Sequence, residues 1–248
     1  MFSQFSYAGI TDQGLKREKN EDSWKADPEL GLFVVSDGIG GEFAGDIASG
    51  IVTETLPELV REIIPKDRDI LQDKIKRQLI KKISQLSNLI ADKTEDQPGL
   101  TGMGATLVCA IIADHKMLVA NMGDSRAYLL RDHDFRQLTK DHNLSQLLFD
   151  EGAITEEEFK YHPSKNRLIR FMGMPSPPIP EAKDFNLMSG DRVLLCSDGV
   201  TNMIDDYDLS KILSDKKKTP QEICDEIVKV SNWAGGLDNI TAIVILIN

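Results

Sequence analysis

The sequence lacks a C-x-x-C pair, a basic surplus and any apolar run long enough to cross a membrane. Its three cysteines, Cys109, Cys196 and Cys224, are an odd number scattered through apolar or helical runs. That pattern excludes a disulfide framework and predicts buried free thiols in a reducing compartment. The net charge of −11 argues against a general nucleic-acid binder, which would carry a basic face. The longest apolar stretch, near Leu107 to Ala113, suits a buried strand rather than a membrane span. The opening residues Met1-Phe2-Ser3-Gln4-Phe5 show neither the basic n-region nor the apolar core of a signal peptide, so a cytoplasmic location is expected. No low-complexity linker and no repeat of about 20–50 residues divides the chain, and one domain over residues 1–248 is the expected organisation.

What is present is an ordinary globular composition, 41% hydrophobic and 28% charged, over 248 residues, enough for one substantial core. Strands are predicted over Phe5–Thr11, Leu32–Asp37, Thr106–Ala113, Met117–Met122, Ala127–Arg131, Ile179–Phe185, Arg192–Cys196 and Ala242–Ile247. Several are continuously apolar, as strands covered on both faces should be. Gly45 to Val60 reads as a helix. Leu71, Ile75, Leu79, Ile83, Leu86 and Ile90 form the apolar stripe of a second helix between Ile70 and Ile90. Near the C-terminus, Thr219-Pro220-Gln221-Glu222 is a capping box with Pro at the first helical position, followed by Ile223, Ile227, Val230 and Trp233 or Ala234 as the inner stripe. Paired helices separated by mostly adjacent strands point to helices layered on sheet rather than to alternating βαβ units. Residues 141–178 differ in texture. They hold His142 and His162, five acidic residues between Asp150 and Glu158, and prolines at 175, 177 and 178 with Pro180 just beyond. This segment reads as a helix-containing, flap-like excursion facing substrate, or else as a surface insertion.

Chemistry concentrates at four aspartates, Asp22, Asp37, Asp198 and Asp238, at strand ends or in turns with Gly or Asn close by. Two separate segments end alike, Val34-Val35-Ser36-Asp37-Gly38 and Leu195-Cys196-Ser197-Asp198-Gly199. Carboxylates beside a residue that lets backbone approach closely are what Mg²⁺ or Mn²⁺ requires. Were they to converge, each like pair about 4 Å apart would repel by roughly 4 kcal/mol at an effective dielectric near 20, so convergence implies a cation. Arg17, ahead of Asn20-Glu21-Asp22, offers a bidentate fork for a phosphoryl group, or is simply a surface charge in a loop. The run Ser36-Asp37-Gly38-Ile39-Gly40-Gly41-Glu42 frees backbone for a cation or a tight turn. Lacking a Gly-Lys-Ser/Thr ending, it is a poor P-loop. The remaining distinctive stretches are Gly102-Met103-Gly104-Ala105-Thr106, Gly123-Asp124-Ser125-Arg126 and Gly235-Gly236-Leu237-Asp238-Asn239.

These elements, in this order over about residues 3 to 247, resemble the type-2C (PPM) metal-dependent Ser/Thr protein phosphatases, in their compact bacterial form. The resemblance implies an α+β fold, a central β-sandwich of two antiparallel sheets flanked by pairs of α-helices in four layers. It implies hydrolysis of phosphoserine and phosphothreonine in proteins by a metal-activated water, without a covalent phosphoenzyme. It also implies two core Mn²⁺ or Mg²⁺ ions and a third, weaker one. Asp37 then corresponds to the bridging carboxylate, with Gly38 lending its carbonyl, and Asp198 and Asp238 to ligands of the second ion. Asp22 corresponds to the holder of a water in the metal shell, Asp124 with Asp198 to the third-ion site, and Arg17 to the phosphate-binding arginine. Such chemistry must supply up to about 10²¹-fold acceleration, which a cation pair with an anion clamp can reach and a lone carboxylate cannot. The expected partners are phosphorylated proteins, substrates of a Ser/Thr kinase, with no nucleic acid, no membrane, and a monomeric enzyme. The chain departs from the family at Ile39 and Glu42, where some or many members carry histidine, so the source of the leaving-group proton differs. A pseudophosphatase that binds phosphoproteins and a phosphohydrolase of small metabolites are the alternatives.

Overall fold

The computed structural model describes residues 5–40, 44–65, 70, 73–96, 100, 102–175 and 178–248; Gly41, Glu42, Leu71 and Pro177 of the reading above lie outside them. Two antiparallel sheets stack face to face. One runs in the order β1 (Phe5–Asp12), β11 (Ile240–Ile247), β10 (Arg192–Cys196), β7 (Arg126–Arg131) and β8 (Asp134–Gln137). The other runs β2 (Asp22–Asp27), β3 (Leu32–Ile39), β5 (Leu107–Ala113), β6 (Lys116–Met122) and β9 (Glu181–Asn186), with β4 (Gly104–Ala105) paired to the end of β3. Helices α1 (Gly45–Arg61) and α2 (Asp73–Asp96) cover the second sheet. The residues 141–178 carry two short helices, α3 (Leu144–Asp150) and α4 (Glu156–Lys160). A single turn, α5 (Asp198–Thr201), follows β10, and α6 (Asp206–Ser214) and α7 (Pro220–Trp233) cover the first sheet.

The continuously apolar strands are explained by this layering. Side chains alternate across a strand with period two, so a strand with helices on one face and a sheet on the other must be apolar at every position. In β3, Leu32 and Val34 pack under α1 and α2 while Phe33 and Val35 point at the opposite sheet. In β10, Leu194 and Cys196 face α6 and α7 while Val193 and Leu195 face inward. The three cysteines are free and buried, and burial pushes each thiol up to about 12.

Local signals held where they were strong. In α2, Ile75, Leu79, Ile83, Leu86 and Ile90 are all buried. The Thr219–Glu222 capping box forms at the start of α7. The expected inner stripe of α7 needs correction at its end, because Trp233 is 89% exposed and Ala234 is exposed as well. The helix stops there and the chain turns through Gly235 and Gly236, both at positive φ, so the buried stripe of Ile223, Cys224 and Ile227 ends at Ser231. Strand β2 is not among the expected strands because Asp-Ser-Trp-Lys-Ala-Asp alternates over only two apolar residues, Trp24 and Ala26, which pack on the inter-sheet core. Pairing with β3 fixes it, and Trp24 lies so close over Gly9 that a Cβ there would sit 2.5 Å from the ring.

Phe33 is fully buried between the sheets, with the rings of Phe5 and Tyr7 edge-on at 5.3 and 5.1 Å. Phe33→Ala is expected to lower unfolding free energy by about 3–5 kcal/mol in urea titrations. A loss below about 1 kcal/mol would mean the inter-sheet core does not carry the fold.

Candidate active site

Every candidate residue lies at the same end of the sandwich. Asp37 is near the end of β3, and Asp22 opens β2 directly opposite it in the ladder. Asp124 follows β6 in the turn to β7, Asp198 follows β10, Asp238 precedes β11, and Arg17 sits in the loop after β1. Arg17, Asp37, Gly38, Asp124, Asp198 and Asp238 line one pocket of about 210 Å³, with Asp22 buried behind Asp37. The structure thus brings together all seven residues that the sequence singled out. Strand ends collect here because antiparallel neighbours alternate direction, and each of these turns or ends closes at the same rim.

Each aspartate is held by neighbours of its own. Thr106 accepts the Asp37 amide at its Oγ1 (2.9 Å) and donates its own amide to the Asp37 carbonyl (2.8 Å). The Thr106 hydroxyl also meets that of Ser125 at 2.6 Å. Ser197 Oγ donates to Asp22 Oδ2 (2.7 Å), and Asn202 Nδ2 donates to Asp198 Oδ2 (2.9 Å). Arg17 Nη2 donates to Asp238 Oδ2 (2.6 Å) from an exposed position. Gly38 is required by close approach, since a Cβ there would lie 2.1 Å from the Gly45 carbonyl oxygen and 2.6 Å from that of Glu21.

The loop that carries Arg17 is fastened by Asn239, a residue the sequence reading quoted but assigned no task. Its Nδ2 donates to the carbonyls of Gln13 (2.9 Å) and Lys19 (2.8 Å), and its Oδ1 accepts the Glu21 amide (2.9 Å). An Asn beside a site Asp was the only available signal. Asn166 and Leu168, from the 141–178 excursion, also line the pocket. Their contribution could not be read locally, because the excursion reaches the pocket only through tertiary folding.

The histidines are accounted for elsewhere. His142 is buried, its Nδ1 accepting the Gly123 amide (3.2 Å) and its Nε2 lying 3.4 Å from Glu181; burial holds its pKa below the usual value. His162 Nδ1 accepts the Ser164 amide within its own turn. Ile39 does line the pocket, which puts an apolar side chain on its wall.

Electrostatically the pocket is under strain. Asp22, Asp37, Asp124 and Asp198 all have pKa values raised, first by desolvation and then by one another's charge. Against them stands Arg17, itself bound to Asp238. Asp22 Oδ1 and Asp198 Oδ1 are buried with no hydrogen-bond partner. Orphaned anionic oxygens aimed into a crowded acidic pocket fit a hard divalent cation. Among the described residues, no three Asp, Glu, His or Cys side chains close around one point, so protein atoms alone do not complete a coordination shell.

Two outcomes follow. In EDTA, Asp124→Asn is expected to melt about 2–4 °C higher than wild type, because it removes a buried like charge worth about 1 kcal/mol. A lower melting temperature would show that the aspartates are not in mutual conflict. Asn239→Ala should cost about 2 kcal/mol and make the 13–21 loop a trypsin site. An unchanged digestion pattern would remove Asn239 from that role.

Known proteins resemble this chain in sequence and fold. The model of the family described as Protein phosphatase 2C matches residues 15–223. A serine/threonine phosphatase, stp, of Listeria monocytogenes is 36% identical over 238 residues, covering 95% of this chain and 93% of its own. The crystal structure of the serine/threonine phosphatase PstP/Ppp of Mycobacterium tuberculosis superposes with a TM-score of 0.87 at 33% identity, covering 98% and 99% of the two chains. A PstP catalytic domain solved with two manganese ions gives a TM-score of 0.82 at 33% identity over 97% of each chain. With a family model matched over residues 15–223, a matching fold and 36% identity to a relative over 95% of its length, the chain belongs to the protein phosphatase 2C family.

Proposed function

We propose that this protein is a metal-dependent phosphatase that hydrolyses phosphoserine and phosphothreonine in proteins by direct attack of water. The observation that carries the reading is the pocket that Asp37, Asp198 and Asp238 line beside Arg17, with unpartnered buried oxygens on Asp22 and Asp198. The residues that would hold Mn²⁺ or Mg²⁺ are Asp37 with the Gly38 carbonyl, together with Asp198 and Asp238. Asp124 with Asp198 would hold a third, weaker ion, and Asp22 would orient a water. When bound, the ions supply Lewis acidity toward the phosphoryl oxygens and an acidified water as nucleophile.

The chain's own residues do the rest. Arg17 has a planar fork of donors, of which one is spent on Asp238, leaving others for phosphoryl oxygens. Its charge offsets the negative charge spread over those oxygens in the loose transition state. Asp238 aims the guanidinium, and Asn239 holds the loop from which it projects. Thr106 locks the backbone of Asp37, so the carboxylate meets its ligands without reorganising. A covalent phosphoenzyme is disfavoured by what the pocket offers. All three thiols are buried in the cores, and the Thr106 hydroxyl is committed to Asp37 and Ser125. Ile39 cannot donate a proton, so water in the open pocket protonates the leaving alkoxide.

The chain is read as one domain with 141–178 as a flap over the pocket, to which Asn166 and Leu168 contribute. The substrates are phosphorylated proteins made by a Ser/Thr kinase, and the enzyme works as a cytoplasmic monomer. Among the described residues no helix is long and apolar enough to cross a membrane.

Phosphate release from a phosphothreonine peptide should require Mn²⁺ or Mg²⁺ and stop in EDTA. Asp37→Asn and Asp198→Asn should each reduce kcat by at least about 10³-fold with circular dichroism unchanged. Near-wild-type rates in either would sink the mechanism. Arg17→Ala should lower kcat/KM by about 10²-fold. Comparable kcat/KM for nucleotides and phosphopeptides would favour the metabolite phosphohydrolase instead. Folded protein that binds phosphopeptide but never releases phosphate would be the pseudophosphatase.

A further inference from the structure

The aspartate pocket opens sideways into a larger space. A cleft of about 850 Å³ lies between the 141–178 excursion and the segment leading into α6. The two are joined by a neck of about 30 Å³. Asp124, Asn166 and Asp198 of the neck also line the aspartate pocket, and Arg126, Asp141 and Asn202 also line the cleft. A phosphoryl group occupies only the smaller pocket. The cleft has the volume of a site for a whole side chain with its neighbours.

Its walls have a definite chemistry. Phe149 and Phe159 stack at 5.1 Å on the excursion side. Tyr161 is 84% exposed and Tyr207 68%, an unusual exposure for aromatic rings that line a cavity. Tyr207 already takes a cation on its ring, with Lys211 Nζ 3.7 Å from the centroid. Asp205 and Asp206 close the far side. Asp205 caps α6 by accepting the Asp208 amide, and Asp206 accepts the Tyr128 hydroxyl; neither forms an ion pair among the described residues. The cations at the cleft do not cancel them. Arg126 is neutralised by a bidentate bond to Asp141 (2.9 and 2.7 Å), and Lys165, which lines both the cleft and its neck, is one cation against the carboxylates of Glu156, Asp205 and Asp206.

We infer that this cleft receives an arginine or lysine side chain of the substrate polypeptide beside its phosphoresidue, seated between the aromatic rings and the carboxylates of Asp205 and Asp206. The inference rests on the phosphatase reading above and adds a specificity-determining site to it. Aromatic faces and carboxylates together favour a desolvated cation over a neutral or acidic side chain. The continuity of cleft and pocket ties the cation's place in the peptide to the phosphate's.

The test uses phosphothreonine peptides on an alanine background with an arginine moved stepwise along either flank, and matching peptides with glutamate. The double variant Asp205→Asn with Asp206→Asn removes both charges while asparagine keeps the helix cap. Ratios of kcat/KM are taken within each enzyme, so any general loss of activity cancels. The wild type should prefer the best-placed arginine over glutamate by about tenfold or more, a preference that weakens with salt and collapses toward one in the double variant. Equal use of both peptides by an active wild type, or an undiminished preference in the variant, overturns the cleft and leaves the phosphatase reading standing. No turnover of any peptide with Mn²⁺ overturns the phosphatase reading. In that case fluorescence anisotropy of the same peptides in EDTA decides the cleft, with tighter arginine-peptide binding by wild type than by variant supporting it and equal binding overturning it.

Discussion

The structure depends on one electrostatic constraint, that several carboxylates are crowded at the end of a β-sandwich, answered by Arg17, itself bound to Asp238, and by Arg126, itself bound to Asp141. At an effective dielectric near 20, each like pair about 4 Å apart costs roughly 4 kcal/mol, so such a cluster persists only if the rest of the fold holds it. The fold holds it in two ways. Asp22 and Asp37 face each other across a ladder whose register is set by Phe33 and Val35 packing inward and Leu32 and Val34 packing outward. A slip by one residue would turn both sets to the wrong face. Around the rim, Thr106, Ser197, Asn202 and Asn239 spend their hydrogen bonds on the aspartates or on the loop that carries Arg17. We read the resulting conflict of charge as a binding site for cations.

The three apolar layers explain why the site is rigid. One lies between the sheets, and one lies beneath each helical pair. Strands buried on both faces have no freedom to adjust when charge accumulates at their ends. The strain therefore appears as raised carboxylate pKa values and unpartnered oxygens rather than as a relaxed backbone. The 141–178 excursion is different in kind. It lies beside the sandwich, bringing Asn166 and Leu168 to the pocket and Phe149, Phe159 and Tyr161 to the cleft. In the mechanism proposed above, catalytic aspartates come from the ends of the layered strands, and the appended segment supplies part of the substrate cleft.

Much of this was legible in the chain. The twin Ser-Asp-Gly endings after apolar runs placed Asp37 and Asp198, because a strand end is a local event written in consecutive residues. The stripes of α2 and the capping box of α7 were legible for the same reason. What escaped depends on partners distant in sequence. Strand β2 alternates only at Trp24 and Ala26, too short a signal by itself, and is fixed by pairing with β3. Helix α6 begins at a capping aspartate, Asp205, whose signal is lost among the neighbouring acids. The task of Asn239 is visible only once residues 13–21 and 239 meet, more than two hundred positions apart. Trp233 illustrates the opposite error, a residue in helical phase with the core that the helix end leaves in solvent.

The central claim is that the aspartate rim exists to hold cations. Crystals grown with Mn²⁺ and measured at the manganese absorption edge test it directly. The account predicts two strong anomalous peaks in the pocket bounded by Asp37, Asp198 and Asp238, with the Asp37 carboxylate between them and both lost in an Asp37→Asn crystal. A pocket without anomalous signal at saturating Mn²⁺, or peaks confined to other surfaces, would contradict it.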